Sequence, residues 1–287
     1  MTDLFLSIIA STGLFVIFKY FQRHQINTLH AIVVNYFTAA LVGYLTFSGD
    51  VSVYSIIEAP WFKGVIILGF LFISVFNVMG LTSQQHGLSV ASVSGKMSVI
   101  IPILFSVIFY QEALSLIQII GILIALCSVY LTATKTKGSV ITSHNLLLPL
   151  LLFMGSGVID TTLKYLEKTA VSKDNVAVFS ATIFLWAGIL GVGLSLLLSK
   201  KQKISLNLKT VIGGLVLGVV NYFSLYYLIR AFQFRGIESS AIFTINNVGI
   251  VGLTTVLGLL LFKEKLSASN WLGITLAVIA IALVSLF

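Results

Sequence analysis

Charge is scarce in this chain: Asp, Glu, Lys and Arg together make up 9% of its 287 residues, against roughly 25% in an ordinary soluble domain. So few ionic side chains cannot cover a water-facing surface, which excludes a disordered chain, a collagen-like repeat and a normal cytosolic domain. Cysteine is scarcer still. Cys127 stands alone, so there is no intramolecular disulfide framework and no multi-cysteine metal or iron–sulfur site. Period-two alternation is missing, which argues against a β-barrel. Also missing are His-Glu-x-x-His, Gly-x-Ser-x-Gly and any phosphate loop. His24, His30, His86 and His144 fall at expected helix ends or loops, and none forms an i, i+4 pair. An enzyme is disfavoured and no cofactor is expected. What is present is apolar: 58% of the residues are hydrophobic and the mean hydropathy is +1.07. The expected class is an all-α integral membrane protein with the lipid bilayer as its partner.

A bilayer core about 30 Å thick takes roughly 20 residues of apolar helix. Ten runs satisfy this, near 4–22, 29–47, 62–85, 88–110, 115–134, 145–166, 175–199, 210–233, 237–262 and 268–287. Short breaks separate them, among them Ser48-Gly49-Asp50, Glu58-Ala59-Pro60 and Lys200-Lys201-Gln202-Lys203, and no soluble domain fits between. Met1-Thr2-Asp3 opens with an acid, and Lys19 and Arg23 follow the first apolar run, so that run is expected to be a retained helix and not a secretory signal. The net charge of +8 becomes a topology signal instead of evidence for nucleic acid. Loops after odd-numbered spans hold Lys19, Arg23, Lys135, Lys137, Lys200, Lys201, Lys203, Lys209, Lys263 and Lys265; those after even-numbered spans hold Lys63, Lys164, Lys168, Lys173, Arg230 and Arg235. The positive-inside rule then puts both termini outside the cytoplasm.

The chain resembles itself. Residues 110–125, Tyr-Gln-Glu-Ala-Leu-Ser-Leu-Ile-Gln-Ile-Ile-Gly-Ile-Leu-Ile-Ala, align with 262–277, Phe-Lys-Glu-Lys-Leu-Ser-Ala-Ser-Asn-Trp-Leu-Gly-Ile-Thr-Leu-Ala. Glu112/Glu264, Leu114/Leu266, Ser115/Ser267, Gly121/Gly273, Ile122/Ile274 and Ala125/Ala277 coincide at an offset of 152 residues, and Gln84/Gln233 and Gly87/Gly236 at 149. Two halves follow, 1–137 and 145–287. An odd number of spans per half inverts the second copy in the membrane, and inverted repeats supply two near-equivalent packings around a midplane site. Alternating access is the function this symmetry suggests.

On these residues the chain resembles the drug/metabolite transporter superfamily, in particular its ten-helix EamA-type members, over essentially its whole length. The resemblance rests on the five-plus-five layout, Pro102 in the fourth span, the helix-end patterns Tyr110-Gln111-Glu112-Ala113-Leu114-Ser115 and Phe262-Lys263-Glu264-Lys265-Leu266-Ser267, and Gly121 with Gly273. It implies ten transmembrane helices as two inverted five-helix repeats, export of an amino acid or other small metabolite, and residence in a bacterial inner membrane. The chain departs from the family at Val251, which stands where a ninth-span proline is usual, and in a fourth span one turn short. Family members also carry cytoplasmic termini, opposite to the charge count.

Ionisable groups in mid-bilayer cost at least about 2.5–3.5 kcal/mol, so each needs a cavity or a partner. Lys96 lies inside the fourth span beside Ser94, Gly95 and Ser98. It either faces a cavity, attracting a carboxylate or phosphate or exchanging a proton, or pairs with Asp160 in the sixth span. Asp160 in turn serves a cavity, where burial suits it to proton coupling, or pairs locally with Lys164. Asn246 and Asn247 sit within the ninth span at the level of Lys96 in the inverted half, and line a cavity or bond between helices. Asn35, Asn77 and Asn221 present the same choice. Tyr36, Tyr222, Tyr226 and Trp186 stack on an apolar substrate or serve as packing and interface anchors. Glu112 and Glu264, each before Xaa-Leu-Ser at a helix junction, are expected to cap or order loops. Gly214 and Gly218 have the spacing for close helix packing. With no filter-like loop, soluble receptor region or nucleotide motif, the expected function is a secondary transporter of small organic metabolites, with protons as a candidate coupling ion. A channel or facilitator is the alternative.

Overall fold

The structure is a computed structural model that describes residues 2–46, 53–110, 115–133, 144–171, 175–199, 207–232 and 239–286. Twelve helices follow in order: α1 (Thr2–Arg23), α2 (Thr28–Leu45), α3 (Val53–Ile57), α4 (Phe62–His86), α5 (Leu88–Met97), α6 (Ile100–Tyr110), α7 (Leu116–Ala133), α8 (His144–Ala170), α9 (Val176–Ser199), α10 (Leu208–Phe232), α11 (Ser239–Phe262) and α12 (Ala268–Leu286). No strand occurs among the described residues. Eight helical segments are long and apolar enough to cross a membrane, and two shorter apolar helices, within α7 and α12, accompany them. The chain is a multi-pass membrane protein. Side chains are distributed accordingly: Leu41, Phe70, Ile108, Leu123 and Leu197 are exposed, while many hydroxyls and amides are buried.

The fourth span is not one helix. It breaks at Ser98 and Val99 into α5 and α6. Pro102 is the cause, because it has no N–H for the Ser98 carbonyl that a continuous helix would satisfy four residues upstream. Ser98 O accepts instead from Ile101 N at 2.9 Å, a tighter turn. The short α3 lies in the loop after the second span and was not legible as an apolar run.

The repeated sequence at the helix junctions has a local use. Ser115 Oγ accepts from Gln118 N at 3.2 Å while Gln118 Oε1 accepts from Ser115 N at 3.0 Å. Ser267 and Asn270 make the same reciprocal pair, at 3.2 and 2.9 Å. These are capping boxes, which satisfy orphan donors at a helix start. Glu112 falls outside the described residues.

Contacts divide the chain into two units. The first holds Met1–Tyr20, Val78–Val158 and Phe223–Phe287; the second holds Phe21–Asn77 and Ile159–Tyr222. Each draws on both halves of the sequence. In the first unit α7 and α12 run antiparallel and close together. A Cβ added to Gly121 would stand 2.6 Å from Val284, and one on Gly273 would stand 2.7 Å from Thr132. Around them Val93, Met97, Ile100, Phe153, Val251 and Ile281 form the apolar core.

In the second unit α2 packs on both α9 and α10. Gly43 and Gly191 admit the α9 contact. Gly214 and Gly218 bring α10 onto the α2 backbone: a Cβ at either position would meet Ala31 O or Asn35 O at 2.6 Å. Gly218→Ala is therefore expected to destabilise the protein by about 1–3 kcal/mol, read as a lower Tm in detergent. Gly193→Ala is the control, since a Cβ there meets nothing within 4 Å, and it is not expected to lower Tm.

Candidate functional site

Hydroxyls buried in these apolar helices mostly bond backward into their own helix, as expected where water is absent. Thr82 Oγ1 donates to Val78 O at 2.7 Å, Thr182 Oγ1 to Val178 O at 2.6 Å and Thr255 Oγ1 to Val251 O at 2.8 Å. Against that background the exceptions stand out. Thr12, Ser89, Ser94 and Ser195 have buried hydroxyl oxygens with no hydrogen-bond partner, and Asn247 has none for either Oδ1 or Nδ2. An unmade hydrogen bond at a buried polar group costs about 1–3 kcal/mol, so such groups call for an explanation.

Two of these positions, Ser89 and Asn247, lie along α5 and α11 in the first unit. Ser92 Oγ accepts from Thr254 Oγ1 at 2.7 Å, tying α5 to α11. Leu88 N donates to Glu264 Oε1 at 2.9 Å, so the two helices run antiparallel. At about 100° per residue, Ser89, Ser92 and Lys96 occupy one face of α5, and Asn247, Val251, Thr254 and Gly258 one face of α11. Both faces turn into the same seam. From Thr254 back to Asn247 is about 10 Å at 1.5 Å per residue, and the same rise from Ser92 reaches Val99. Asn247, 1% exposed, is thus level with the break between α5 and α6. Lys96, half-buried, sits in the last turn of α5 beside that break.

The opposite face of α11 packs on α1, which runs parallel to it. Ile242 meets Leu4 and Ile8, and Gly249 faces Ile8. Between them Ser7 Oγ donates to Asn246 Oδ1 at 3.1 Å, and the same hydroxyl lies 3.1 Å from Ser224 O. Adjacent asparagines therefore have different situations: Asn246 joins helices, while Asn247 faces the seam with its hydrogen bonds unmade.

The other sequence candidates lie in the second unit. Asn221 Nδ2 donates to Asn35 Oδ1 at 3.2 Å, and Asn35 Nδ2 donates to Ile32 O at 3.3 Å. This pair links α10 to α2. Asn77 Nδ2 donates to Ile73 O at 3.3 Å within α4. Asp160 is half-buried on α8; the side chain of its candidate partner Lys164 is outside the described residues. Of the aromatic candidates, Tyr36 donates to Phe72 O at 2.8 Å and packs on Phe76 and Phe184. Trp186 meets Phe62 edge-on, Tyr222 hydrogen-bonds Thr46, and in the first unit Tyr226 carries the Arg230 guanidinium over its ring. Ser7, Thr12, Ser89, Ser92 and Thr254 escaped the sequence analysis. The available signal was the Ser89–Ser92–Lys96 spacing, a polar face on an otherwise apolar helix.

Glu264 lies outside the spans, in the loop between α11 and α12. Burial holds its carboxyl above the ordinary carboxylate range, opposed by the Leu88 N–H, the Lys19 ammonium and the Ser89 N–H.

No protein-family profile matches the chain. An uncharacterized protein of Haemophilus influenzae is 29% identical over 290 residues, covering 98% of this chain and 96% of its own. One crystal structure shares the fold at a TM-score of 0.61 and 16% identity, covering 99% of this chain and 96% of the other.

Proposed function

We propose that the protein is a secondary transporter of small organic metabolites that works by alternating access, with the α5–α11 seam of the first unit as part of its substrate path. The observation that carries this reading is the proline-broken fourth span, with Lys96 beside the break and the unsatisfied Asn247 amide level with it. Non-helical backbone inside a membrane is tolerated where it lines a cavity, and discontinuous helices are where transporters hold their substrates. The Asn247 amide offers two N–H donors and a carbonyl acceptor, and Lys96 adds a cation. The fitting substrate is a small molecule with an anionic group, an amino acid or other metabolite.

Two features support ten spans arranged as inverted repeats, 1–137 and 145–287. Gly121 and Gly273, equivalent under the 152-residue offset, each receive the other's helix, at Val284 and Thr132, and those two residues are themselves 152 apart. Each compact unit also draws segments from both halves. Export and a bacterial inner membrane follow from the family resemblance, and proton coupling fits the half-buried Lys96 and Asp160.

Thermal unfolding in detergent, screened against a metabolite panel, identifies the substrate: a ligand at 100 times its Kd stabilises by about 2.7 kcal/mol. In proteoliposomes that ligand should show saturable uptake and counter-flow. Linear, non-saturating flux would establish the channel reading instead. Lys96→Ala is expected to reduce transport by tenfold or more, the scale of a charge-assisted hydrogen bond of about 1.5–3 kcal/mol, with the fold intact. Unaltered transport across pH would remove Lys96 from the site.

A further inference from the structure

We propose that Glu264 is a proton-binding site that clamps the N-terminus of α5 in its carboxylate form and releases it on taking up a proton. The proposal deepens the transporter reading by giving the coupling proton a residue, and rests on that reading only for what the released helix accomplishes.

The carboxylate is delivered from a sequence-distant loop. Lys263 adopts a left-handed backbone, φ 52°, and Glu264 N then donates to Gly258 O at 3.0 Å, folding the loop back on α11. Two glycines make room for the side chain. A Cβ on Gly87 would stand 2.7 Å from Glu264 Oε1, and one on Gly258 would stand 2.6 Å from Oε2. Gly87 itself has φ +100°, a conformation open to glycine, and ends the turn that starts α5. Oε1 accepts from Leu88 N at 2.9 Å, and the Ser89 N–H also reaches the carboxylate. An anion at this place satisfies orphan donors and meets the positive end of the helix dipole.

A permanent cap would need only the charge. Here the site also contains the Ser89 hydroxyl, 2% exposed and without a hydrogen-bond partner, in the same first turn. With no partner in hydrogen-bond reach, that hydroxyl does not hold the carboxylate, and the grip rests on the Leu88 and Ser89 N–H groups. Lys19 approaches from α1; its Nζ donates to Gln84 O at 2.9 Å, while Gln84 Nε2 donates to Phe18 O at 3.1 Å. Lys19 thereby ties α1 to the same turn and favours the ionised carboxyl. Within the first unit, the other titratable or charged groups on the elements packed here are Asp3 and Tyr20 on α1, with Tyr20 edge-on to Phe262, His86 at the end of α4, Lys96 on α5, and Lys263 and Lys265 on the loop itself. Because burial outweighs these attractions and raises the carboxyl's affinity for a proton, uptake falls at higher pH than for a free glutamate. Above that window the clamp is ionised and closed; below it the carboxyl is neutral and the grip weakens. The seam then runs from Glu264 through Ser89, Ser92 and Thr254 to Lys96 and Asn247. A proton taken up at its end thus loosens the same helix that carries Lys96.

Hydrogen exchange followed by mass spectrometry on the full chain in detergent, corrected for intrinsic pH dependence, tests the clamp without a substrate. Protection of the Leu88–Ser89 amides is expected to fall about tenfold as pH drops through the window, since a bond to an ionised acceptor is roughly twice as strong as a neutral one. Glu264→Gln should show the low protection at every pH. Lys19→Met, which keeps the glutamate, should move the midpoint to higher pH, whereas His86→Gln should keep the pH dependence. Flat exchange in the native protein, a pH dependence that survives Glu264→Gln, a midpoint unmoved by Lys19→Met, or its loss in His86→Gln each overturns the proposal. Flat exchange in a protein that transports leaves the transporter reading standing; pH-dependent exchange in a protein that transports nothing upholds the proton site and overturns that reading instead.

Discussion

Asn247→Leu is expected to raise the thermal stability of the protein while erasing its response to ligand. The two effects have one origin. A buried amide with neither atom hydrogen-bonded carries an uncompensated desolvation cost of about 1–3 kcal/mol, and leucine has a similar shape without that cost. At a position 1% exposed the substitution should therefore stabilise, and Tm should rise by several degrees. Ligand affinity should fall about 10–100-fold, as expected when a hydrogen bond to a charged group worth about 1.5–3 kcal/mol is removed. Asn246→Leu supplies the contrast one residue away. Its Oδ1 accepts from Ser7, so its loss should destabilise by about 1 kcal/mol. Opposite signs at adjacent asparagines, measured by thermal unfolding with and without the screened ligand, would separate a site residue from a structural one. Equal destabilisation by both would mean that Asn247 is ordinary packing.

The second large effect is expected from Pro102→Ala. Proline in a helix interior is about 3 kcal/mol less favourable than alanine, and restoring an N–H at position 102 gives the Ser98 carbonyl its normal partner. The equilibrium between a broken and a continuous fourth span should shift by up to about two decades, at 1.4 kcal/mol per decade. Amides of Ser98, Val99 and Ile101 should become more protected from exchange. Ligand-induced stabilisation should be lost, because the break would no longer stand level with Asn247. Exchange that is unchanged at those amides would mean that Pro102 does not cause the break.

Hydropathy alone made the helical class and the apolar spans legible, because a membrane helix must be apolar over its whole length. It was blind to the division of the fourth span. A hydropathy window counts side chains, whereas the break is a matter of backbone donors and shows only as Pro102, four residues past the carbonyl it deprives. The capping boxes were half visible: Ser115 and Ser267 repeat in register, but the roles of Gln118 and Asn270 emerge only with the helix starts. Glu264 was legible as a helix-junction residue, and its partner at Leu88 was not, since 176 residues separate them. The same distance problem hid Ser7 from Asn246 and Asn221 from Asn35, 239 and 186 residues apart. Asn246 and Asn247 could not be told apart in sequence, because a single step of about 100° around α11 decides which helix each one faces.

The interlocked glycines of α7 and α12 also set an order of events during synthesis. Every residue of the second unit precedes Phe223, whereas the first unit needs residues up to 286. At about 5–20 residues per second, the remainder of the chain after Tyr222 takes the ribosome roughly 3–13 s. Through that interval α7 has been made and Gly121 has no helix to receive. The second unit can close while the first waits with its seam unfilled. Truncation before α12 should therefore yield a chain that inserts and is then recognised by the quality-control machinery of the membrane.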